Sequence, residues 1–157
     1  MNVPHLILEC IAAGVGTIAF ALLFQVPRGY YLPCGIIGGA GWLCYRLLAF
    51  LGASASLATF PATVAVVFLA RWTAVRLRCP VTVFLIPGIF PLVPGAGIYW
   101  TAYYLVTDDT ARATVQGGVT LKSAVAIVLG ILLVFELPQG LFRALGARQS
   151  SKVRETK

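Results

Sequence analysis

Five stretches of the chain are apolar almost without interruption, and short polar or charged segments separate them. They cover approximately residues 5–26, 31–51, 54–75, 81–106 and 119–142, each close to the roughly 20 residues a helix needs to cross a bilayer. The pattern predicts an all-α integral membrane protein of about five transmembrane helices. A single transmembrane domain is expected over 1–146, with a polar basic tail at 147–157. The fourth stretch is the longest, and it cannot be one unbroken helix. Its middle reads Pro87-Gly88-Ile89-Phe90-Pro91-Leu92-Val93-Pro94-Gly95-Ala96-Gly97-Ile98-Tyr99. The prolines remove backbone donors and clash with the preceding turns, while the glycines loosen the same backbone. In hydrocarbon, such irregular backbone persists only where protein buries it or where it lines a cavity. The fourth helix is therefore expected to be broken, as the helices that form solute sites in transporters are.

Charges between the stretches support this count. Arg28 follows the first, no charged residue separates the second from the third, and Arg71, Arg76 and Arg78 follow the third. Asp108, Asp109 and Arg112 follow the fourth, whereas Arg143, Arg148, Lys152, Arg154 and Lys157 follow the fifth. Basic residues thus alternate in side, which places the N-terminus outside and the C-terminus in the cytoplasm of a bacterial inner membrane. The start, Met1-Asn2-Val3-Pro4-His5, lacks Lys and Arg and no small-residue cleavage site follows, so the first stretch reads as a retained span.

Composition agrees. Hydrophobic residues make up 59% of 157 and charged residues 11%, against about 25% charged in soluble domains, and the mean hydropathy is +0.90. The net charge of +7 sits at span ends, where it meets anionic lipid headgroups; it forms no aromatic-interleaved run of the kind that binds nucleic acid. Cys10, Cys34, Cys44 and Cys79 lack C-x-x-C spacing and read as small buried hydrophobes. No metal site, cofactor motif or catalytic constellation is present, and His5 lies at the membrane edge, so no enzyme is expected.

Small residues mark close helix contacts. Gly35 and Gly39 form a G-x-x-x-G pair with Gly38 and Gly41 beside it, and Ala58 and Ala62 make a similar face. The helix they meet can belong to this chain or to another.

Two sets of residues are candidates for function. The first is ionisable: Glu9, Arg46, Lys122 and Glu136 lie in or at the rim of spans, where charge is costly and marks a paired or working position. Glu9 and Lys122 can snorkel to the nearby interface. Arg46 is expected to pair with a carboxylate, and Glu136 and Glu9 are the other candidates for coupling or ion pairing. The second set is the break. A helix restarting near Ala96 presents unpaired amides and about half a positive charge, a ready-made anion site. The carbonyls of Val83, Pro87 and Phe90 lose their usual donors to proline and can accept from an ammonium group. Substrate contacts are expected from Pro91, Pro94, Gly95, Ala96 and Gly97, and from Tyr99, Thr101 and Tyr103 on the restarted helix. The alternative is a packed proline kink, with the tyrosines in an interfacial aromatic belt.

The stretch Phe24-Gln25-Val26-Pro27-Arg28-Gly29, Gly38 to Tyr45, Ala70-Arg71, Cys79-Pro80 and the motif from Pro87 to Tyr99 together resemble the threonine/serine exporter family. More narrowly, they resemble its small YjjB-type subunit, which corresponds to the C-terminal half of the fused exporters. Shorter versions of the motif keep Pro91, Pro94, Gly95 and Tyr99, and some relatives carry His in place of Trp42. The resemblance implies proton-driven export of threonine and serine, or of a dicarboxylate such as succinate. It also implies a second membrane subunit resembling the N-terminal half of the fused forms. A homo-oligomer meets the same need for further helices. Two other readings remain open: a scaffold protein that binds no solute, and an uncoupled pore.

Overall fold

A computed structural model describes residues 3–138. Among them the chain is helical throughout: α1 (Val3–Leu23), α2 (Tyr31–Phe50), α3 (Ala55–Leu77), α4 (Thr82–Ile89), α5 (Gly95–Val106) and α6 (Thr110–Glu136), with no strand. Four of these helices are long and apolar enough to cross a bilayer, and α4 with α5 forms a fifth candidate bent by 51°. The chain is a multi-pass membrane protein. The expected basic tail and the last residues of the fifth apolar stretch lie outside the described residues.

The helices start and stop where local chemistry directs. Ser54 caps α3 by accepting from the Leu57 amide at 3.4 Å, and Asp109 caps α6 by accepting from the Arg112 amide at 3.1 Å. Because of that cap, α6 begins at Thr110 rather than near 119. Its 27 residues extend about 40 Å, more than the roughly 30 Å of hydrocarbon, so its polar first turns project beyond the apolar slab.

Glycines draw the helices together. The G-x-x-x-G face of α2 meets α1 of the same chain: a Cβ at Gly35 would lie 2.9 Å from Ile18, and one at Gly39 would lie 3.3 Å from the Cys10 carbonyl. A Cβ at Gly38 would overlap Thr17, and one at Gly41 would overlap Val66 of α3. The order of packing is α1 on α2, α2 on α3, and α3 on α6. α4 inserts among α1, α2 and α3, whereas α5 turns away onto α6. Ala21, Cys34, Ile37, Val66, Phe84 and Leu92 form the core around α4. The divergence of α5 leaves a space bounded by α2, α3, the break and α6.

Candidate functional site

The break is built by three prolines, each of which removes the donor that would have bonded four residues upstream. Pro87 leaves the Val83 carbonyl without its amide, and the Cys34 thiol of α2 donates to it instead at 3.5 Å. Pro91 frees the Pro87 carbonyl, which accepts from the Phe90 amide. Pro94 frees the Phe90 carbonyl, which accepts from the Val93 amide at 3.1 Å. The three carbonyls expected to await a cation are thus supplied from within the protein, by a thiol and by a tight turn over Phe90–Leu92.

Donors, by contrast, are left over. The Gly95 amide turns back to the Val93 carbonyl at 2.7 Å, and the first bond internal to α5 runs from the Ile98 amide to the Pro94 carbonyl at 3.0 Å. The amides of Ala96 and Gly97 precede it. Pro94 offers no side-chain cap, so these amides stand at the positive end of the α5 dipole without a partner.

Ala96 and Gly97 line a cavity of about 290 Å³. Its walls are Trp42 and Tyr45 of α2, Ala55 and Thr59 of α3, residues 91–97 of the break, and Gln116, Val119, Thr120 and Ser123 of α6. Five of the residues expected from sequence, Pro91, Pro94, Gly95, Ala96 and Gly97, therefore come together here. A Cβ built on Gly95 meets no atom within 4 Å. Gly97 is the opposite: its Cβ would lie 2.4 Å from Thr120 Oγ1, so glycine lets α5 rest against α6.

The hydroxyls of the wall are oriented by their own helices. Thr59 donates to the Ala55 carbonyl at 2.7 Å and Thr120 to the Gln116 carbonyl at 2.8 Å. Each spends its proton on the backbone and keeps only lone pairs for a ligand. Ser123 bonds the Val119 carbonyl at 3.1 Å and Ser56 at 3.3 Å. The cavity lining thus combines residues of the break whose amides are unpartnered with hydroxyl oxygens of α3 and α6.

The remaining candidates are elsewhere. Thr101 donates to the Gly97 carbonyl at 2.7 Å and lines a separate apolar groove between α5 and α6. Tyr99 and Tyr103 stack 6.4 Å apart and are 62% and 47% exposed, in a strip with Trp100 and Tyr104. Glu136 ends α6, thirteen residues past Ser123 and so about 20 Å along the axis. Lys122 is exposed on α6.

Arg46 pairs with Glu9: Nε lies 2.6 Å from Oε2, and Nη2 donates to Oε1 at 3.2 Å. Trp42 Nε1 donates to the same carboxylate at 3.3 Å. The indole is therefore shared between the ion pair and the cavity wall. Sequence reasoning missed Tyr45, Thr59, Gln116, Thr120 and Ser123 as wall residues. A signal existed in α6, where positions 116, 120, 123, 127, 130 and 134 repeat at alternate steps of four and three and turn from polar to apolar.

A family model described as threonine/serine exporter matches residues 9–136, which takes in α2 to α6 and all but the first six residues of α1. The chain is 30% identical over 123 residues to the threonine/serine exporter of Corynebacterium glutamicum, covering 78% of this chain and 25% of that protein. It is 29% identical over 94 residues to an uncharacterized protein of Haemophilus influenzae, covering 60% of this chain and 32% of that one. It thus spans about a quarter to a third of the length of these curated relatives. No solved structure matches it. The chain belongs to the threonine/serine exporter family.

Proposed function

We propose that this family member is a membrane subunit of a small-solute exporter in the bacterial inner membrane, and that solute binds in the cavity at the broken helix. The carrying observation is the pair of unpartnered amides at Ala96 and Gly97, at the positive end of a helix and in the lining of a mainly apolar cavity that also carries Thr59, Gln116, Thr120 and Ser123. The solute's carboxylate takes these amides, and an ammonium group takes the lone pairs of Thr59 and Thr120. A volume of about 290 Å³ is just below the roughly 300–1,000 Å³ usual for ligand sites. It suits threonine, serine or a short dicarboxylate.

Export is coupled to protons on this reading, with Glu9 as the coupling group: protonating it removes the charge that Arg46 faces and weakens the bond from Trp42, and so reaches the cavity wall. A second membrane subunit, resembling the N-terminal half of the fused exporters, completes the pathway. The much greater length of the relatives supports this, as does α5, which has one face on α6 and the other uncovered.

The test is efflux of labelled threonine, serine and succinate from cells lacking their own exporters, with this chain alone and with a partner subunit. Export that requires the partner and collapses with the proton gradient is the expected result. Gly95→Leu adds a bulky side chain at the cavity lining, where a Cβ meets no atom within 4 Å, and is expected to reduce efflux to background with assembly intact. Normal efflux from that variant removes the cavity as the solute site; gradient-independent leakage from the unmodified chain replaces the transporter by a pore.

A further inference from the structure

One turn beyond the cavity, the seam between α3 and α6 holds a hydroxyl that this arrangement leaves unused. Thr63 is fully buried, and among the described residues its Oγ1 is the buried side-chain polar atom without a hydrogen-bond partner. The neighbouring hydroxyls of Ser56, Thr59, Thr120 and Ser123 all have partners. A helical threonine usually reaches back to a carbonyl one turn earlier; Thr63 does not. A buried hydroxyl in that state costs stability that valine, of the same shape, does not incur.

Its place in the fold gives the orphan a meaning. Thr63 lies four residues past Thr59 of the cavity wall, on the same face and about 6 Å further along α3. Gly130 of α6 stands opposite, and a Cβ there would come within 2.9 Å of Thr63 Cβ and 3.2 Å of the Phe60 carbonyl oxygen. Further on, Val67 and Val134 are fully buried against each other's helices. Arg71 then ties α3 to the end of α6 by donating to the carbonyls of Val134 and Leu137. The seam therefore runs from the hydroxyl-bearing cavity to the orphan hydroxyl to an apolar plug. Pro61, inside α3, has no amide for the Leu57 carbonyl, so the helix ladder is weakest just before Thr63.

We propose that Thr63 Oγ1 is a second station on the solute path, hydrogen-bonded by the solute or its water when α3 and α6 part at this level, and closed here by the approach of Gly130. This rests on the exporter reading and extends it along one seam. A hydroxyl both donates and accepts, so the station takes the same small carboxylate or hydroxy-bearing solute that the cavity takes.

Two measurements on the full chain in the membranes of its own cells decide it. In the first, Cys34 is replaced by Ser and Cys10, Cys44 and Cys79 by Ala, and Thr63→Cys is exposed to a water-soluble cationic methanethiosulfonate; Gly95→Cys serves as the water-accessible reference. The thiol at position 63 is expected to react during solute efflux and to be protected at rest. In the second, Thr63→Val is expected to melt at or above the unmodified temperature while efflux falls at least about tenfold, a change of roughly 1.4 kcal/mol in the barrier, and Thr63→Ser restores it. A thiol unreactive in both conditions, or Thr63→Val exporting at the normal rate, overturns the station. If Gly95→Leu has meanwhile abolished export, only the station fails; if Gly95→Leu also exports normally, the cavity reading fails with it.

Discussion

The two halves of the broken span are made of similar residues and are treated in opposite ways. α4 is inserted among three helices, Phe84, Pro87 and Gly88 are buried, and Tyr30 meets the Phe84 ring edge-on at 5.6 Å. Each carbonyl orphaned by a proline on that side has a substitute donor. α5 has no buried residue, and the amides at its start are left without partners. A proline-broken helix can evidently be fully satisfied by its own protein, because the α4 side is. The amides at the start of α5 are left open as those of any uncapped helix start are, and the proposed function makes them the binding surface.

The largest expected effects oppose one substitution in each half. Phe84→Ala empties a site at the centre of the core and is expected to cost roughly 3–5 kcal/mol, read as loss of the monodisperse folded protein in detergent. Gly95→Leu meets open space and is expected to keep the melting temperature while solute binding disappears. Destabilisation by the second substitution, or normal folding of the first, erases the distinction between an anchoring half and a binding half.

Gly97→Ala lies between these extremes. The new methyl meets Thr120 Oγ1, so the hydroxyl must leave its bond to the Gln116 carbonyl or α5 must lift from α6. The expected cost is on the order of 1–3 kcal/mol, with a weaker solute affinity measured by isothermal titration. Unchanged affinity shows that the seating of α5 on α6 is immaterial to binding.

What could be read from the sequence follows the range of the interactions involved. The apolar stretches and the proline break depend on length and on local backbone chemistry, and both are visible along the chain. The start of α6 was obscured because residues 110–118 look like a loop until Asp109 is seen as a cap. The cavity wall was obscured for a different reason: Trp42, Tyr45, Thr59, Gln116 and Thr120 come from three helices, and only packing brings them together. Small residues decide that packing, and their spacing shows that a helix comes close but not which one. Likewise Arg46 calls for a carboxylate, and only the α1–α2 contact through glycines selects Glu9 from across the chain.

Glu9→Gln probes whether the ion pair acts on the binding half at all. It removes the charge that Arg46 faces and keeps an acceptor for Trp42. Loss of one hydrogen bond to a charged group amounts to about 1.5–3 kcal/mol at most when buried, and this pair is partly exposed. Efflux is expected to fall by roughly threefold to tenfold, with its response to an imposed proton gradient flattened. An intact gradient response with reduced rate assigns the pair to structure alone.

The smallest effect is expected at the two tyrosines that the sequence offered either as substrate contacts or as members of an interfacial aromatic belt. Tyr99 and Tyr103 do share one face of α5, as their spacing requires, and their rings stack. The 51° bend at the break decides where that face points, and it directs both rings outward with Trp100 and Tyr104 rather than into the cavity. Such a strip of aromatic rings with polar tips suits the membrane interface or the proposed second subunit. Tyr99→Phe removes the hydroxyl and keeps the stack, so efflux is expected to change by less than about twofold, under 0.5 kcal/mol. A large loss of solute affinity in this variant makes α5 rotate inward in the binding state and puts the aromatic face, not the amide end, at the solute.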